Sequence, residues 1–229
     1  MLTGRGVHVW PFRIYGSDAL AAEFLKVLSP DERERAARFR FERLQRSFIL
    51  TRGALRILLG HYLETSPAGI QFEYGAKGKP HLAAPSRIEF NVSHSGELAL
   101  FAFTLDCELG VDVEQIRPMP DMRAIAAQFF HEEEAAELMT LPASRREHAF
   151  FLCWTRKEAY IKAIGDGLSA PLDGFRVTLR PGEPARFIHL ARDTDAAATW
   201  TLHDLDLDLQ YAAALAYRDS PRPLLPQPL

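Results

Sequence analysis

Four short stretches carry residue types whose spacing could do chemistry. In "GVDVE" (110–114), Asp112 and Glu114 stand two apart, so on a strand both carboxylates project from one face while Val111 and Val113 project from the other. Two neighbouring carboxylates repel, and a hard divalent cation such as Mg²⁺ keeps both ionised at close range. An exposed edge strand with polar residues outward is the plainer reading of the same pair. In "WTRKEAYIK" (154–162), Trp154, Glu158 and Lys162 are spaced by four and share a helix face. A surface ion pair accounts for Glu158 with Lys162, yet leaves the tryptophan and the following "GDGL" unexplained. The functional account makes Glu158 a third metal carboxylate and Lys162 the counter-charge of a metal-bound phosphate, as phosphoryl chemistry requires.

In "FNVSHSG" (90–96), Ser93, His94 and Ser95 end a strand beside Gly96, where hydroxyl, imidazole and open amides can face one anion. A Ser–His hydrolase is disfavoured, because adjacent residues on a strand end diverge and no nucleophile-elbow glycines frame the serine. In "YGAKGKP" (74–80), Gly75 and Gly78 permit close backbone approach and Lys77 and Lys79 offer ammonium groups, though a hairpin loop reads the same way. The chain has only Lys26, Lys77, Lys79, Lys157 and Lys162, so its lysines concentrate in this loop and in the 154–162 helix.

Elements must bring these stretches together. "GVHVWPFRI" (6–14) reads as a strand, followed by a helix over 17–28 with Ser17 or Asp18 as its cap. Ser29, Pro30 and Glu32 then supply a capping box for one or two arginine-rich helices reaching Leu63. Short strands over 70–75, 87–95, 98–105 and 109–114 suggest a small, mostly antiparallel sheet. The order then restarts with helices over 121–138 and 144–164 and strands to about residue 218. Helices followed by strands thus occur twice, a hint of two α+β halves meeting near 106–120. The final "SPRPLLPQPL" is too proline-rich for a central strand and is expected to be a tail over 220–229.

Composition sets the outer bounds. The 229 residues can bury a substantial core, and 47% hydrophobic content with 25% charge is ordinary for a soluble globular chain. A net charge of −3 gives no global reason to bind nucleic acid, so any anion site must be local. Cys107 and Cys153 sit in apolar stretches, offer neither a disulfide framework nor zinc spacing, and suit a reducing compartment. No run approaches a membrane span and no secretory signal is seen, so a cytoplasmic protein is expected.

Taken in order, "GKP", "FNVSHSG", "GVDVE" and "WTRKEAYIK" resemble the motif set of the Sfp-type 4'-phosphopantetheinyl transferases. The arginine-rich helices after "LSPDERERAARF" and the "GDGLSAPLDGF" segment extend the resemblance over nearly the whole chain. It implies an α+β pseudo-dimer of two similar halves, 1–108 and 109–219, with coenzyme A in the cleft between them. The activity implied is Mg²⁺-dependent transfer of the phosphopantetheine arm of coenzyme A to a serine of an apo acyl or peptidyl carrier protein. The implied metal ligands are Asp112, Glu158 and, third, Glu114. Lys162 would contact the phosphates being separated and Glu158 is the candidate base. His94 and Ser93 would approach coenzyme A phosphate, Lys79 and Pro80 would lie beside the adenine, and Arg46 and Arg35 would supply basic contacts to the nucleotide's 3'-phosphate. Glu32 departs from the family, where a basic residue can stand. A monomer without nucleic-acid or membrane partners is expected; the rival readings are a non-catalytic coenzyme A or carrier-binding module and a metal-dependent phosphohydrolase.

Overall fold

The structure is a computed structural model that describes residues 2, 4–15, 18–165, 167, 171–190 and 199–227. The chain begins with β1 (Val7–Arg13), α1 (Asp18–Val27), α2 (Pro30–Ala37), α3 (Glu42–Leu63), β2 (Phe72–Tyr74), β3 (Pro80–Leu82), β4 (Ile88–Ser95) and β5 (Leu98–Leu105). It then repeats that succession as β6 (Leu109–Gln115), α4 (Met122–Phe129), α5 (Glu132–Thr140), α6 (Ala143–Ile164), β7 (Phe175–Val177), β8 (Phe187–Leu190), β9 (Thr201–Asp204) and β10 (Tyr211–Tyr217). A last strand, β11 (Leu224–Pro226), follows. One sheet has the order β11-β1-β5-β4 and the other β6-β10-β9, with β2–β3 and β7–β8 as separate hairpins. With β11 set aside, both sheets place the first strand of the half beside its last, and its last beside the penultimate. The repeated order is therefore a repeated topology, two similar α+β halves.

Local signals set the element ends. The Ser29 N–H donates to Glu32 Oε2 at 3.1 Å, which starts α2 as the capping box requires. The helical stretch after it divides at residues 38–41 into α2 and α3. The expected 121–138 helix also divides, because His131 Nδ1 accepts the Glu133 N–H at 3.2 Å and Glu134 Oε2 accepts the His131 N–H at 3.0 Å, capping a new helix. α6 stops at Gly165, whose φ of 78° is the left-handed conformation that glycine adopts without strain. Ser17 and, in the "GDGL" turn, Asp166 and Leu168 lie outside the described residues.

Alternation along the strands builds four layers. Leu98, Leu100 and Ala102 of β5 join Leu109, Val111 and Val113 of β6 and Ala213 and Leu215 of β10 in one core between the sheets. The other face of β5, with Phe101 and Phe103, packs on Leu50, Leu55 and Leu59 of α3. Ala212, Ala214 and Ala216 of β10 pack on α6 residues such as Ala159 and Ile161. β5 and β10 are buried on both faces and so read as continuous apolar runs. Residues 220–227 are not a free tail. β11 pairs in parallel with β1, Val7 opposite Leu224 and Val9 opposite Pro226, and an edge position tolerates the prolines there. Arg222 ties the same segment to Thr104 Oγ1 at 2.7 Å and the Leu105 carbonyl at 3.0 Å.

Candidate functional site

β6 turns Val111 and Val113 into the inter-sheet core, which leaves Gly110, Asp112 and Glu114 on the face that meets α6. A Cβ on Gly110 would lie 2.2 Å from the Ala159 carbonyl and 2.3 Å from the Ala163 amide, so only glycine lets α6 approach this closely. That approach brings Lys162 Nζ to 2.6 Å from Asp112 Oδ1 and 2.8 Å from Ser93 Oγ. Asp112 is 4% exposed and Glu158 6%, and Asp112 Oδ2 and Glu158 Oε1 are buried with no hydrogen-bond partner. Burial raises the Glu158 pKa to about 7; the charges of Asp112 and, more weakly, Glu114 add to this, and Lys162 opposes it.

Buried carboxylate oxygens without partners are the donor set of a hard cation. Among the described residues no three His, Cys, Asp or Glu side chains converge as a ready-made cage. Mg²⁺ does not demand one, since it is usually held by one or two carboxylates together with substrate phosphates and waters. The residues present therefore fit such an ion.

A cavity of about 520 Å³ opens in front of these groups between the two halves, lined by Lys77, Pro80, Asn91, Glu158, Lys162 and Gly167 among others. Pro80 and Val92 also line a neighbouring cavity of about 290 Å³ whose walls include Arg35, Phe48, Thr51, Arg52 and His94. Together they form a cleft with carboxylates at one end and arginines at the other. His94 is open to solvent at this second cavity, and desolvation against the cleft walls, then the charge of Lys162, lower its pKa. A neutral imidazole there can accept or donate one hydrogen bond.

Several sequence-predicted residues sit differently from their expected roles. The Lys79 ammonium is bonded to the Leu109 and Ala163 carbonyls at 3.1 and 3.0 Å, and desolvation lowers its pKa. It ties the β2–β3 hairpin to the ends of β6 and α6, and Lys79 and Pro80 both line the cleft wall. Ser93 is buried between Asp112, Lys162 and the Val113 amide, so its hydroxyl faces the carboxylates. Arg46 pairs with Asp18 of α1 and is not in the lining of the arginine cavity, whereas Arg35 is. Lys157 is completely buried against Glu134 at 2.7 Å and the Leu172 carbonyl at 2.8 Å. Trp154 packs on Phe129, Phe130 and Phe150 and so anchors α6.

Arg52 was not singled out in the sequence. Its Nη1 is buried without a hydrogen-bond partner at the cavity that Arg35 lines, and its guanidinium stacks over Phe72 at 5.2 Å. Abundant arginine hid it, because nothing local separates Arg52 from its neighbours. Glu32, the departure noted above, is buried and holds Arg56 at 2.6 Å and Arg52 at 3.5 Å. Its carboxylate thus orients a cleft cation and caps α2 at once.

The profile described as "4'-phosphopantetheinyl transferase superfamily" matches residues 108–216, and that described as "4'-phosphopantetheinyl transferase, N-terminal" matches residues 17–105. 4'-Phosphopantetheinyl transferase HetI of Nostoc sp. is 38% identical over 92% of this chain and 86% of its own length. 4'-Phosphopantetheinyl transferase Sfp of Bacillus subtilis is 31% identical over 68% of each chain. A crystal structure of the Thermotoga maritima holo-[acyl-carrier-protein] synthase aligns at a TM-score of 0.38 and 18% identity, covering 50% of this chain and 64% of that one.

Proposed function

The chain belongs to the 4'-phosphopantetheinyl transferase family, and from that premise we propose how its cleft carries out the reaction. It transfers the 4'-phosphopantetheine arm of coenzyme A to a serine of an apo carrier protein. The observation that carries the residue assignment is the buried cluster of Asp112, Glu158 and Lys162 at the head of a cleft between the halves. Asp112 and Glu158, with Glu114 as third carboxylate, would hold Mg²⁺, whose charge when bound offsets that of the pyrophosphate. Lys162 supplies a second positive charge to the phosphate oxygens, and Arg35 and Arg52 receive the nucleotide's phosphate at the other end, with His94 between them and Pro80 along the wall. Glu158, which lines the cleft, takes the proton of the attacking serine hydroxyl, directly or through a bound water. The serine oxygen bonds to the pantetheine-side phosphorus as that phosphorus loses its bridging oxygen, and adenosine 3',5'-bisphosphate leaves. Positioning and charge compensation contribute most of the acceleration in such transfers.

One chain supplies both walls of the cleft, which favours a working monomer. Buried, unbridged Cys107 and Cys153 suit the cytoplasm. Among the described residues no helix is long and apolar enough to cross a membrane.

Intact-mass analysis of apo fatty-acid, polyketide and peptide-synthetase carriers, incubated with the protein, coenzyme A and Mg²⁺, tests the reading. A gain of one phosphopantetheine arm that EDTA suppresses is expected. Coenzyme A cleavage without carrier modification would point to a phosphohydrolase, and binding without either to a module that has lost turnover.

A further inference from the structure

β4 and β6 belong to different sheets and run side by side with a seam that no backbone ladder closes. Side chains close it instead. The Val111 N–H donates to Asn91 Oδ1 at 3.0 Å, the Val113 N–H to Ser93 Oγ at 3.3 Å and the Gln115 N–H to Ser95 Oγ at 3.1 Å. Each rung joins residues twenty apart, so the strands are parallel and in constant register. The outward amides of β6, an edge strand, are thereby satisfied without a strand docking on them.

A serine hydroxyl has one proton and two lone pairs. Once its oxygen accepts an amide, its proton has to go elsewhere, and both serines send it to a carboxylate of the next strand. Ser93 donates to Asp112 Oδ1 at 2.8 Å and Ser95 to Glu114 Oε2 at 2.6 Å. The Asn91 rung has no carboxylate beside it, because the corresponding position on β6 is Gly110.

We infer that Ser95 is a positioning residue for the metal-binding carboxylate of Glu114. It fixes Oε2 against the seam and so commits Oε1 to the ion. The inference rests on the proposed reading of Glu114 as a ligand. Ser93 does the same for Asp112, but it also holds Lys162, so its removal would disturb several contacts at once. Ser95 bonds one carboxylate and one amide, which makes it the cleaner test.

The test compares Ser95→Ala and Ser95→Thr with the wild type, using Mn²⁺ as probe. Free Mn²⁺ is followed by electron paramagnetic resonance in the presence of coenzyme A, and thermal melting is measured separately in EDTA. Ser95→Ala should weaken Mn²⁺ binding by about tenfold, the loss usual when a hydrogen bond to a ligating carboxylate is removed. Ser95→Thr retains the hydroxyl and should bind as the wild type does. A Ser95→Ala protein that melts lower but keeps wild-type Mn²⁺ affinity would reduce Ser95 to a seam residue and overturn the inference. So would a threonine variant that loses as much affinity as the alanine. A wild type that binds no Mn²⁺ would overturn the metal reading itself and this inference with it, an outcome distinct from unchanged affinity in the variant.

Discussion

Glu158 is a carboxylate that the folded chain holds close to half-protonated at neutral pH. Burial first, and then the charge of Asp112, raise its pKa from 4.5 to about 7. A group whose carboxyl pKa is raised by folding binds its proton more tightly when folded, so its ionisation costs stability as pH climbs from the unfolded value through the folded one. With a chelator present, stability should therefore carry a falling component between pH 4.5 and about 7 that Glu158→Gln removes. At pH 8 the glutamine protein should be more stable than the wild type by on the order of 2 kcal/mol. Its transfer rate should nevertheless drop by at least about 100-fold. Urea titrations at pH 5 and pH 8 read this directly; a stability gap that is the same at both would show that ionised Glu158 is not held at a cost. At this scale the sequence was legible where chemistry and spacing coincide, as in Asp112 with Glu114 and Glu158 with Lys162. It was opaque where a partner is remote: Glu134 lies far along the chain from Lys157, and Ser95 meets Glu114 only across a seam between sheets.

The approach of α6 to β6 is what turns these separate residues into one site, and Gly110 permits it. An alanine there would set its Cβ against the Ala159 carbonyl and the Ala163 amide, both backbone atoms that cannot rotate away. α6 must then lift, carrying Glu158 and Lys162 with it. Gly110→Ala should cost about 1–3 kcal/mol of stability, as overpacking does. It should also lower the turnover number about 100-fold, since a displacement near 1 Å at a reacting group is enough. Steady-state kinetics at saturating coenzyme A, beside a urea titration, would show it; wild-type turnover in a folded alanine protein would mean that α6 does not rest on β6 as described. Elements governed by short-range rules were readable: the alternation of β6, the capping box of α2 and the apolar run of β5. The division into α4 and α5 was not, because it depends on His131 acting as a cap, a role in which serine or aspartate is the usual signal. The partners of Lys79 were hidden for a related reason, since a loop lysine announces charge but not which carbonyls will take it.

The whole molecule is two halves that cannot be separated without exposing the core between their sheets. Leu98, Leu100, Val111, Val113 and Leu215 are almost wholly excluded from water there, and burying each such side chain is worth roughly 1.5–3 kcal/mol. β11 adds a second bond between halves, because it arrives after β10 and pairs with β1. A repeat visible only as element order in the sequence thus shares one core between its halves. Its two halves should unfold together, and tryptophan offers a way to see this. Trp10 lies in β1, Trp154 in α6 and Trp200 beside β9. A chain retaining only Trp10 and a chain retaining only Trp154 and Trp200, the others replaced by phenylalanine, should each give one urea transition that coincides with circular dichroism of the same protein. In either chain, a fluorescence midpoint displaced from the circular-dichroism midpoint would mean that one half stays folded while the other opens. The cleft would then be a junction between independent domains. Cooperative unfolding makes a stronger functional statement: carboxylates from β6 and α6 and arginines from α2 and α3 hold their separation across the cleft because a single core sets both.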